Sequence, residues 1–196
     1  MTITTFFAII FSIFSGLVSA ILVMSKKQEE VVPPVPTPEP VPEPEPITSS
    51  PPPHMETQPE KLYALAKSLI GTHLSLDNTV PWMVGCGEAV SDLLKRFGIA
   101  GIPHLGIAGT AQFLTFLKNS NYFEEIHEYE VGAIIVNATG TGNGKVRGHI
   151  GVCGKNQIMS NNSETGKWDT QWTYDRWNAY YHVYGGIPTR FFRLRG

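Results

Sequence analysis

Between residues 56 and 119 apolar side chains recur at three- and four-residue intervals, and after residue 120 they alternate or run together in short blocks. The change of period predicts helices first and strands afterwards. In "ETQPEKLYALAKSLI", residues 56–70, Leu62, Leu65, Ala66 and Leu69 share one helical face, and Gly71 supplies a stop. A second helix begins at Cys86 and carries Ala89, Val90, Leu93, Leu94 and Phe97 on its apolar face as far as Gly98. Glu88 and Asp92 fall on or near its solvent side. Thr110 is placed to cap a third helix running through Leu117.

Four later blocks read as strands or their surroundings. "EVGAIIVNA" contains a strand over 132–136, and "TGTGNGKVRG" a long turn. "HIGVCG" begins a strand at His149, and "QIMSNN" comes next after a tight turn. An aromatic stretch, "WTYDRWNAYYHVYGG", precedes a closing strand in "TRFFRLR". This order predicts an α+β domain over residues 56–196, its helices packed on an antiparallel sheet.

The first 55 residues follow neither pattern. Residues 1–25 have no charged side chain and are long enough for a membrane-spanning helix, so membrane attachment through residues 2–24 is expected, with cleavage after Ala20 as the alternative. Lys26 and Lys27 favour a cytoplasmic location for the chain on their C-terminal side. Residues 26–55 are rich in Pro and Glu and predict an extended spacer of polyproline II character.

Composition narrows the function classes. The 196-residue chain has a formal charge of -2, and its 15 Lys and Arg form no dense run, which argues against nucleic acid as a partner. Two cysteines are too few for a disulfide scaffold. The histidines show no HExxH or similar spacing, so no metal and no cofactor are expected.

Candidate chemistry centres on Cys86. A thiol at a helix start is favoured as thiolate by the helix dipole and free N–H groups. His149, opening an apolar strand, is suited to take the thiol proton and return it to a leaving amine. A third polar group would hold the imidazole in its useful tautomer. A three-residue connection at 154–156 pairs His149 with Asn161, the preferred partner, whereas a two-residue turn at Lys155 and Asn156 pairs it with Asn162. Cys153 lies roughly 13 Å along the strand from His149, so a Cys86 thiol in contact with His149 cannot also bridge to it, and Cys153 reads as core.

The blocks "VGCGEAVSDLLKRFGI", "EVGAIIVNA", "GHIGVCGKNQIMSNN" and "FFRLR" together resemble the CHAP and NlpC/P60 group of papain-like cysteine peptidases and amidases. The resemblance spans roughly residues 58–195. It implies a papain-like fold with Cys86 as nucleophile, His149 as base and Asn161 as third residue. It further implies a peptidoglycan hydrolase, either an endopeptidase or an N-acetylmuramoyl-L-alanine amidase acting near stem peptides, of the kind used in wall remodelling or phage lysis. The chain departs from the family at Gly85, where glutamine is common, at Ala133 in place of an aspartate, and at His73 and Leu74 in place of a tyrosine. The Cys86 N–H is then the default oxyanion donor, with His73 or Trp82 assisting. Trp168 and Trp172 are candidates for a substrate groove.

A monomeric domain is expected, and the resemblance to wall-directed enzymes implies that it lies outside the cytoplasm, whether periplasmic, extracellular or virion-associated, in conflict with the orientation that Lys26 and Lys27 favour. The alternatives are a cysteine protease acting on protein and a non-catalytic anchored protein of the same fold.

Overall fold

The computed structural model describes residues 55–76 and 80–196. The expected membrane segment, and the spacer up to residue 54, lie outside the described residues. Among those described, no helix is long and apolar enough to cross a membrane.

Helix α1, Gln58–Ser68, starts from a reciprocal cap in which Glu60 N–H donates to Thr57 Oγ1 and Thr57 N–H donates to Glu60 Oε2. A short 3₁₀ turn at Trp82–Val84 leads into α2, Cys86–Phe97. Gly98 ends α2 in the left-handed conformation, φ 97°, and its N–H returns to the Leu94 and Lys95 carbonyls. Helix α3 runs Thr110–Asn119. Its cap residue is Gly109, not Thr110, because the Thr110 hydroxyl is engaged with Thr139 instead.

Six strands come next among the described residues: β1 Phe123–Ile126, β2 Ile134–Asn137, β3 His149–Cys153, β4 Ile158–Asn161, β5 Trp168–Trp172 and β6 Thr189–Leu194. They form one sheet in the order β1-β6-β2-β3-β4-β5, with every neighbouring pair antiparallel. The closing strand therefore lies inside the sheet, between β1 and β2. Between β5 and β6 the chain forms a short helix α4, Tyr174–Trp177, continuing as a π-helical turn over Asn178–Tyr184.

Alternation along the strands divides the interior in two. Ile134, Val136, Ile150, Val152, Met159 and Phe192 face a core built with the apolar sides of α1, α2 and α3. Ala133, Ile135, Cys153, Ile158 and Phe191 face the other way, against Trp177 and Tyr181. Glu88 and Asp92 are not on the solvent side of α2 as its pattern suggests; both are buried. Glu88 accepts hydrogen bonds from Ser75 Oγ and Leu76 N–H, and Asp92 pairs with Arg96 one turn on. Buried carboxylates need such partners, and those of Glu88 come from a loop that helical periodicity does not register.

Candidate active site

Cys86 opens α2, and the glycines around it have a steric purpose. A Cβ on Gly87 would lie 2.3 Å from the Ile107 carbonyl oxygen, so only glycine lets the 107–109 segment pack on the first turn. Ser91 ties that segment down, accepting from Ile107 N–H while donating to the Gly87 carbonyl. His149 has a similar neighbour: a Cβ on Gly148 would come within 2.3 Å of the Asn137 carbonyl oxygen. Close packing of the 107–109 segment on Gly87 and of Asn137 on Gly148 thus fixes the backbone beside both side chains.

Cys86 and His149 line the same cavity, of about 330 Å³, at the end of the sheet. Arg147, Gln171, Trp172, Tyr180 and Tyr181 are also on its wall. Cys86 and Cys153 are both free, buried thiols. Burial pushes the Cys86 thiol up to about 11, against the opposing pull of the amides of Gly87, Ile150 and Cys86 itself. Burial alone pushes the His149 imidazole down to about 4. Each shift favours the uncharged form of its group. Both shifts have desolvation as their main cause, so a polar group entering the cavity weakens both.

The imidazole is gripped by aromatic rings. Trp177 lies 5.1 Å from it, centroid to centroid, and Tyr181 stacks at 5.6 Å with only 16° between planes. Trp177 is itself fixed by donating its Nε1–H to Asn137 Oδ1. Asn137 is directly opposite His149 across β2 and β3, and its Nδ2 donates to Ile187 O and Thr189 Oγ1. The role of Asn137 and Trp177 has no motif in the sequence; the strand register alone brings them to the histidine. The Nε2 atom of His149 is buried and has no hydrogen-bond partner.

The expected third residue is displaced. Gly154 N–H donates to Gln157 O, so the connection is the two-residue turn at Lys155 and Asn156, and Gly151 pairs with Ser160. A one-residue change in register reverses which face every side chain of a strand meets. Asn161 therefore shares the face of Ile150 and Met159, away from His149, and donates to Trp82 O at 2.6 Å. Asn162 is occupied elsewhere: its Oδ1 accepts from the Glu164 and Thr165 amides, and its Nδ2 donates to Asp169.

Other expected site residues separate in the same way. His73 and Trp82 line a different cavity of about 170 Å³ together with Asn161, and His73 Nδ1 bonds to Gly166 O. Neither is on the wall that carries Cys86. Trp168 is fully buried in the helix-side core and donates to Ala66 O, so it is no part of a groove. Trp172 does reach the Cys86 cavity, joined by Tyr180 and Tyr181.

No family model and no curated protein matches the chain. Among solved structures, it is similar to a chain from the crystal structure of the type VI native effector-immunity complex Tae3-Tai3 from Ralstonia pickettii. That likeness has a TM-score of 0.44 and 15% identity, and covers 68% of this chain and 96% of the other. At that level it assigns neither family nor function.

Proposed function

We propose that the domain over residues 56–196 is a thiol-dependent amide hydrolase of papain-like, CHAP or NlpC/P60 type, acting on the peptide part of peptidoglycan. The observation that carries this reading is that Cys86, at a helix start, and His149, at a strand start, line one cavity. In the proposed reaction the imidazole takes the thiol proton as sulfur attacks the amide carbon. The proton then passes to the leaving amine, and water releases the acyl group from sulfur. The amides of Cys86, Gly87 and Ile150 against the sulfur favour developing thiolate.

The substrate class rests on the motif resemblance. Arg147 supports it, being the one charged side chain among the described residues on the wall, suited to a carboxylate-bearing stem peptide. Attachment through residues 2–24 with the domain outside the cytoplasm suits this substrate, and a phage lysis role fits the same arrangement. A reporter fused after Gly196 tests the orientation: activity confined to the cytoplasm sinks direct attack on the wall.

Digestion of purified peptidoglycan by the full-length chain, wild type beside Cys86→Ala, is the direct test. Cys86-dependent new amine and carboxyl ends, read by mass spectrometry, support the hydrolase and distinguish endopeptidase from amidase. No products from folded wild type count against it. One observation favours a non-catalytic protein of the same fold: burial disfavours the charged forms of both Cys86 and His149. In that case Cys86 stays inert to alkylation even when wall fragments are added.

A further inference from the structure

Three buried side-chain atoms among the described residues have no hydrogen-bond partner: His149 Nε2, Ser160 Oγ and Trp172 Nε1. Such groups are uncommon in folded proteins and costly when isolated. These three are not scattered. His149 and Gly151 share a face of β3, and Ser160 is the cross-strand partner of Gly151, so its hydroxyl lies on the histidine side of the sheet. Trp172 packs on the same face, its ring 5.4 Å from Tyr181 and 6.0 Å from Trp177, the two rings that hold His149.

Glycine at 151 lets β4 pack closely here. A Cβ on Gly151 would lie 2.6 Å from Met159 O, 2.9 Å from Ile158 Cγ2 and 3.1 Å from Ser160 Cβ, so any side chain there would displace the serine strand. In the β3–β4 register Ser160 is the diagonal neighbour of His149 on the same face, and the residue opposite Ser160 carries no side chain. Ser160 is wholly buried and its hydroxyl has no competing partner in the structure. A serine hydroxyl rotates to suit either a donor or an acceptor.

We propose that Ser160, and neither asparagine, is the positioning residue for His149, its Oγ accepting the hydrogen bond from His149 Nε2–H once the two side chains turn toward each other. That bond leaves Nδ1 as the unprotonated nitrogen, the one free to take the Cys86 proton. The proposal deepens the hydrolase reading and rests on it for the catalytic consequence, but the hydrogen bond itself does not depend on any substrate.

The test uses the full-length chain labelled with ¹⁵N-histidine, with the His149 signals assigned by loss in His149→Gln. At neutral pH wild type is expected to show His149 as a single Nε2–H tautomer. In Ser160→Ala the two tautomers mix, and kcat on peptidoglycan fragments falls by about 10- to 100-fold with KM little changed. Ser160→Thr, which keeps the hydroxyl, restores both readouts. A folded Ser160→Ala with an unchanged tautomer overturns the proposal, whatever its activity. A tautomer change in a protein whose wild type hydrolyses nothing upholds the Ser160 contact and counts against the hydrolase reading alone.

Discussion

The two faces of the sheet are built by different means. The helix-side face is covered by aliphatic side chains of α1, α2 and α3, including Leu62, Val90 and Leu93, together with Phe113, in conventional oily packing. The opposite face is covered by Trp177, Tyr181 and their neighbours, and interleaves them with buried Asn137, His149 and Ser160. All three unpartnered buried atoms belong to this second face. The first face is aliphatic packing, whereas the second surrounds a titratable ring with aromatic ones. Cys86 comes from the first and His149 from the second, and both line one cavity.

The sharpest separation of the two thiols is functional. Cys86→Ala is expected to lower hydrolysis by about a thousand-fold or more while the thermal midpoint stays near that of wild type, measured by product release and circular dichroism. Cys153→Ala, on the aromatic face but remote from the cavity wall, keeps turnover. Equal loss of turnover in both variants would erase the distinction.

Stability probes the oily face. Leu93→Ala removes a fully buried side chain and is expected to cost about 2–5 kcal/mol, read from the urea midpoint. A cost below about 1 kcal/mol would mean that this face is not closely packed.

Acidification probes the aromatic face. The His149 pKa is depressed from its ordinary 6.5 to about 4, so between those values the unfolded chain binds more protons than the folded one. Stability therefore falls as pH drops from 6.5 toward 4 and levels below it, a loss of roughly 3 kcal/mol. His149→Gln is expected to flatten that part of the stability profile in denaturant titrations. For Cys86 the sign reverses: the folded thiol stays protonated up to about 11 against 9.0 unfolded, so its contribution is lost as pH rises through that window.

The smallest expected effect concerns the clamp. Asn137→Ala leaves the Trp177 indole N–H without its acceptor and is expected to cost about 1–3 kcal/mol. It also loosens the ring against His149, visible as broadened His149 resonances. A sharp, unshifted His149 signal in that variant would dissociate Asn137 from the site.

The ease of reading the two faces from the sequence differs as sharply. The α2 face, Ala89, Val90, Leu93 and Leu94, is legible because a helix repeats over residues close in the chain. The short apolar block after His149 is legible too, because a strand is also written in neighbours close along the chain. Strand β5 is not: Trp168 and Trp172 sit on opposite faces through an irregular register, and the aromatic run around them has no clean period. Read as a groove, it divides into one core residue and one cavity residue. Glu88 misled in another way, because its partners Ser75 and Leu76 lie in a loop more than ten residues back.

Local order along the chain by itself determined the helix-then-strand architecture, the placement of Cys86 at a helix start and that of His149 at a strand start. These depend on neighbours a few residues apart, and hydrophobic period and glycine position encode them directly. Only the tertiary structure decided the insertion of the last strand between β1 and β2, the turn of two residues at Lys155 and Asn156, and hence the face on which each asparagine lies. A single residue of register turns Asn161 to the other face and brings Ser160 onto the face of the imidazole, and the free energy that selects the register comes from packing across the whole sheet.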